Sequence, residues 1–243
     1  MKYFQSVESD LTIGERCFLE GIYNDVEHSR DSWARFNTQT RTYFDIALQE
    51  AAQGIECRQK AKVSTDQFDI NEFSSLAYQH SLKAIIFSSM CVEAGINDYA
   101  GIHLGDNYCE KHIYSMDVVS KWVLIPKLVC GNEIDKSGPA FKALQRLIKS
   151  RNKLVHSKSK DMGIPSLELA AKLEKADLDF KEDFDNSFRA LFLLSMEMDD
   201  VVGPQYNPIR TLDKTISPFL KIPDALKTEL GQCKSIMSKR RLK

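Results

Sequence analysis

The sequence predicts an all-α protein, a bundle of four to five main helices with short satellite helices. Three observations carry this expectation. Apolar residues recur at three- and four-residue steps in several long segments. Glycine (11) and proline (7) together make about 7% of the 243 residues, against the ~12% of an average protein. Alternating strand patterns are few.

The first long helix is expected over about residues 39–61, where Tyr43, Phe44, Ala47, Leu48, Ala51 and Ile55 share one face. A polar connector, Ser64 to Asn71, leads into a second helix over about 71–101. Its stretch from Leu82 to Ile96 is apolar around most of its circumference and therefore central to the core. Gly101 to Lys111 reads as a turn, from the Leu104-Gly105-Asp106-Asn107 chemistry. Asp117 is a candidate N-cap for a short helix, Val118 to Val129, that Pro126 should kink or shorten. A helix from Pro139 to His156 follows, with Phe141, Leu144, Leu147, Ile148, Leu154 and Val155 as its apolar stripe. After a loop to Pro165, a short helix is expected over Ser166–Lys175 and a separate long one over Glu182–Val202, stopped by Gly203-Pro204. Pro204 to Pro218 reads as extended or irregular. A last amphipathic helix starts near Pro223 and ends in a solvated basic tail from Lys239. The organisation is an N-terminal extension (1–37), a bundle (38–202) and a C-terminal extension (203–243). Within the first, Thr12 to Glu15 reads as a turn and Arg16 to Tyr23 as a strand or a short helix.

Lys+Arg is 33 and Asp+Glu is 34, for a net charge of −1. This excludes a globally basic nucleic-acid coat, so any such contact must be a local patch. The six cysteines, Cys17, Cys57, Cys91, Cys109, Cys130 and Cys233, form no CxxC pair and read as buried thiols of a cytoplasmic protein. No secretory leader and no membrane span are expected. Phosphate-binding glycine loops, a GxSxG elbow and HExxH are absent, so no cofactor and no metal are expected. The histidines are scattered, and each by itself reads as structural or surface. Trp33 and Trp122 read as core or interface aromatics.

One segment departs from the charge balance. Lys142, Arg146, Lys149, Arg151, Lys153, Lys158 and Lys160 fall within nineteen residues that contain no Asp or Glu. Cations near a helix C-terminus offset its dipole by ~0.3–1 kcal/mol each, which is the plain structural reading. The functional reading is an anion site, with Arg151 clamping a phosphate and His156 moving a proton. Five helical steps separate the two by ~140° around the axis, whereas Asn152 and His156 share a face. Two copies about a two-fold axis would bring an Arg and a His together more easily. On the second helix, Glu93 and Asn97 are four apart on one face.

Arg151-Asn152-Lys153-Leu154-Val155-His156 at the end of an apolar helix resembles the signature of the HEPN superfamily: Arg, four to six residues, then His, with Asn frequent after the Arg. Glu93-Ala94-Gly95-Ile96-Asn97 is similar to the polar position these proteins place near the motif. The resemblance covers about residues 39–200 as a helix pattern. It implies a bundle that dimerises around the motif, and, in many members, a metal-independent endoribonuclease of toxin–antitoxin, phage-defence or RNA-processing type. Other members are non-catalytic RNA-binding or dimerisation modules. The chain has one copy of the motif, so a composite site needs a homodimer. In that reading Arg151, His156 and Asn152 are catalytic, Glu93 and Asn97 support them, and Lys149, Lys153 and Lys158 bind RNA. An antitoxin or regulatory protein is a further expected partner. A helical adaptor for another protein or a small anion is the reading from a different class.

Overall fold

A computed structural model describes residues 35–159, 161 and 163–241. It is an all-α bundle, with seven helices and no strand among the described residues. They are α1 (Thr40–Val63), α2 (Gln67–Leu104), α3 (Asp106–His112), α4 (Val118–Cys130), α5 (Pro139–Val155), α6 (Leu167–Val202) and α7 (Lys227–Arg241). The readings of Thr12–Tyr23, Trp33 and Cys17 lie outside the described residues.

Helix α2 is the axis of the fold and touches α1, α4, α5 and α6. Small residues explain how it packs so many neighbours. Ala77, Ser81, Ala84, Ser88 and Gly95 recur along it at helical spacing and are buried. They oppose Phe44, Ala47, Leu48 and Ala51 of α1, which are equally buried. Side chains this small let two helix backbones approach closely, and the larger residues Ile85, Ile96 and Trp122 fill the remaining space. Trp122 is a core residue. Its indole N–H, otherwise a buried orphan, donates to the Val92 carbonyl at 3.1 Å.

Caps behave as the sequence suggests. The Asp117 carboxylate accepts from the Ser120 amide at 3.0 Å, and Gly131 (φ 82) closes α4 in the left-handed region. Pro126 does not shorten α4, which continues to Cys130.

Three expectations are corrected. The presumed turn from Gly101 to Lys111 is helical except at Gly105, whose φ of 80 makes the only break between α2 and α3. Gly101 is instead a buried helical residue beneath the Arg35 guanidinium. The two helices expected over 166–175 and 182–202 are one helix of 36 residues, capped by the Ser166 hydroxyl accepting from the Leu169 amide at 3.1 Å. No glycine or proline interrupts it. The basic tail is not simply solvated. Arg240 of α7 reaches Asp135 at 3.1 Å and pairs through both terminal nitrogens with Glu197, whose side chain is only 2% exposed.

Residues after Gly203 pack across the bundle. Asn207 donates to the Ser195 carbonyl (2.9 Å) and to Asp199 (2.7 Å). Thr211 donates to Asp199 at 2.8 Å, and Arg210 to Asp45 of α1 at 2.8 Å. Ile209, Leu220 and Leu226 are buried beneath this strap.

Burial, helped by the charges of Asp200 and Asp213, pushes the Asp199 carboxyl up to about 6, against the two hydrogen bonds it accepts. The unfolded value is ~3.9. The folded protein therefore holds this proton up to about pH 6 while the unfolded chain releases it near pH 4. The Asp199 contribution is fully favourable below that lower limit and is lost as pH rises through the window, by about 3 kcal/mol. Urea unfolding at pH 4 and pH 7 should show this loss in the wild type and a smaller one in Asp199→Asn. Equal pH dependence in the two proteins would contradict it.

Candidate functional site

Helix α5 carries the motif. Pro139 starts it, tolerated at the first position because that N–H is unused, and Phe141, Leu144 and Leu147 turn into the core. It ends at His156, whose amide still donates to the Asn152 carbonyl at 3.0 Å.

Arg151 leans from α5 towards α2. Its Nη2 donates to Glu93 Oε2 at 2.7 Å, and its Nη1 to Asn152 Oδ1 at 3.0 Å. Arg151 is 27% and Glu93 34% exposed, so the pair is half-buried and open on one side. The sequence-predicted partnership of Glu93 with Arg151 is present in the structure. Asn97, one turn further along α2, has a different partner. Its Oδ1 accepts from Lys121 Nζ at 3.0 Å, and the same ammonium donates to the Tyr114 carbonyl at 3.1 Å.

Lys121 was not anticipated. It is 2% exposed, and burial lowers its pKa, while the carboxylates of Glu93 and Asp117 act to raise it. Glu93 thus sits between two cations, Arg151 from α5 and Lys121 from α4. A sequence signal existed: Lys121 is the single charge inside the apolar run Val118 to Pro126, at a position with the core face of α4. A lysine there must be paired by buried acceptors.

His156 is exposed, and its ring has no hydrogen-bond partner among the described residues. Helical geometry puts it ~140° from Arg151, within ~20° of Lys149 and ~60° of Lys153. Lys142, Lys149, Asn152, Lys153 and His156 together form the solvent face of α5. Lys142, Lys149, Lys153 and Lys158 make no ion pair among the described residues. Arg146 is spent on Glu182 (3.0 Å) and Asp183 (2.8 Å) of α6. A cleft of about 400 Å³ between α5 and α6 is lined by Gln145, Arg146, Lys149, Ser150, Lys153, Asp179 and Asp183. Neither Arg151 nor His156 lines it. The structure therefore joins Arg151, Asn152 and Glu93, and separately aligns His156 with Lys149 and Lys153.

Exposed apolar residues lie near the motif. Val155 is 56% exposed on α5, and Leu124 (44%) and Leu128 (53%) are exposed on α4, the helix that supplies Lys121. Two further histidines among the described residues are accounted for locally. His80 meets Glu50 at 2.7 Å, and His103 is buried against the Tyr99 ring. Cys57, Cys91, Cys109, Cys130 and Cys233 are free thiols. Among the described residues no group of three or more His, Cys, Asp or Glu is arranged to hold a metal ion, and no helix is long and apolar enough to cross a membrane.

No family model matches this chain, and comparison with curated proteins and with solved structures finds no similar protein.

Proposed function

We propose that the chain is a HEPN-type endoribonuclease, of toxin or defence kind, that cleaves RNA without a metal at a composite site between two copies. The observation that carries this reading is the half-open Arg151–Glu93 pair on the same helix end that presents His156 to solvent. The 2′-hydroxyl attacks the adjacent phosphorus and the 5′-oxygen leaves. His156 of one copy moves a proton, to the leaving oxygen or from the nucleophile. Arg151 stabilises the added charge of the phosphorane; always protonated, it cannot act as base. Glu93 holds the guanidinium, and Asn152 holds it from the other side, which leaves its remaining N–H groups for phosphate. Lys149, Lys153 and Lys158 supply unpaired positive charge for the RNA backbone. Val155, Leu124 and Leu128 offer apolar surface for a homodimer whose two-fold axis brings one copy's His156 to the other's Arg151. An antitoxin or regulatory protein would bind the same face.

The test is cleavage of a labelled structured RNA in EDTA. Wild type is expected to give 2′,3′-cyclic phosphate ends, and Arg151→Ala and His156→Ala to lower the rate by ~10²–10⁴-fold each. Activity that disappears with EDTA would sink the proposal. The ~140° separation of Arg151 and His156 within one copy favours a second reading, a non-catalytic RNA-binding or dimerisation module. That reading expects RNA retention that weakens steeply with salt, with no cleavage.

A further inference from the structure

The first part of α6, Leu167 to Asp179, is exposed except for the half-buried Leu169. At ~1.5 Å per residue this is ~20 Å of helix with little cover. Its apolar residues are not confined to one side, since Leu167 and Leu178 point away from the core. Four others continue the core line. Phe184, Phe188 and Leu191 are buried in the bundle, and Leu169, Leu173, Ala176 and Phe180 extend the same face outward at helical spacing. At Phe180 this row meets α2, where its ring centroid lies 4.8 Å from that of Tyr78. Further out, Leu173 is 48% exposed and Ala176 is exposed.

Two properties fit the row to a second copy of itself. The steps from Leu169 to Phe180 are four, three and four residues, and read the same in both directions. A copy laid antiparallel therefore sets Leu169 against Phe180, and Leu173 against the small Ala176, about a two-fold axis between Glu174 and Lys175. The second property is charge. Lys172 and Asp179 lie two turns apart, within ~20° of each other on one flank of the row. Antiparallel pairing joins like flanks, and brings each Lys172 within ~3 Å of level with the other copy's Asp179. The opposite flank sets Ala170 against Asp177, so no like charges meet there. Neither Lys172 nor Asp179 has an ion pair among the described residues. Asp179 shares the α5–α6 cleft with Lys149 and Lys153, while Arg146 in that cleft is held by Asp183 and Glu182. Parallel pairing is disfavoured, because Tyr78 of each copy lies over the row at Phe180 and the two bundles would collide.

We infer that two copies of the chain pair antiparallel through residues 169–180 of α6, with Leu173 against Ala176 and Lys172 against Asp179 across the axis. This face is separate from Val155, Leu124 and Leu128. The pairing stands without the RNA cleavage proposed above.

Sedimentation velocity of the full-length protein tests it. Wild type at micromolar concentration is expected to be a dimer, and Leu173→Glu a monomer of unchanged helical content, since Leu173 packs on nothing in its own core. Lys172→Asp and Asp179→Lys should each weaken the dimer by about tenfold or more, because each sets like charges opposite one another twice. Mixed in equal amounts, the two variants should recover wild-type affinity, because in the mixed pair every Asp meets a Lys. A monomeric wild type would overturn the inference, and so would a mixture no tighter than either variant alone. A dimer that survives Leu173→Glu would also overturn it, and would leave Val155, Leu124 and Leu128 as the contact between copies.

Discussion

Arg240→Ala is expected to lower stability by about 3 kcal/mol, the typical cost of leaving one partner of a buried pair alone. Glu197 is 2% exposed on α6. Its charge is satisfied by both terminal nitrogens of Arg240 and by the Asp135 amide at 3.0 Å. Removing the guanidinium leaves a buried carboxylate with one neutral donor, and water reaches it poorly. For a chain of this size the loss corresponds to ~6–12 °C in melting temperature. The physical claim lies in the pairing, so the double variant Arg240→Leu/Glu197→Leu should recover most of the loss. A double variant no more stable than Arg240→Ala would mean that α7 is held by its apolar contacts, Cys233 and Met237, and not by this pair. The same measurement separates a structural tail from a nucleic-acid arm, since an arm would cost no stability when neutralised.

Gly95→Ala should also be destabilising, by about 1–3 kcal/mol, although alanine is the better helix former by ~1 kcal/mol. A Cβ at Gly95 would lie 2.5 Å from the Pro208 carbonyl oxygen and 3.2 Å from Thr40 Cγ2. The first contact is with backbone, in a strap tied on both sides by Asn207 and Arg210, so it cannot yield by turning a side chain. Gly101→Ala is the control. Its Cβ would meet the end of the Arg35 side chain, which can move aside, at the expense of the Arg35–Asp106 pair. Thermal melts should therefore show a large drop for Gly95→Ala and a small one for Gly101→Ala. The reverse order would mean that the strap adapts more easily than its hydrogen bonds suggest.

Both effects arise from contacts that no local pattern announces, and this divides what was legible from what was not. Helices α1 and α5 were readable because one-sided apolar periodicity is a local property, and Asp117 was readable as a cap because its partner is three residues away. The joined helix α6 was misread for an instructive reason. Its residues from Leu167 to Asp179 are almost all exposed, so they lack the one-sided stripe that marks a packed helix. Alanine, leucine, lysine and glutamate still favour helix there on intrinsic preference. Gly101 was misread because a glycine was taken as a stop. In the fold it is a space, filled by a side chain from Arg35.

The motif region divides the same way. Arg151, Asn152 and His156, their spacing and the surplus of positive charge around them are written in consecutive residues, and so is the helical class of the whole chain. The partner of Arg151 is 58 residues away, and that of Arg240 is 43 residues away. Lys121 becomes a buried cation beside Glu93 and Asn97 only when α4 packs on α2. Periodicity states which face of a helix turns inward. Which charges then meet depends on how the helices cross, and that is settled by the packing of small residues along α2, by a glycine at Gly95 and by the strap that lies against it.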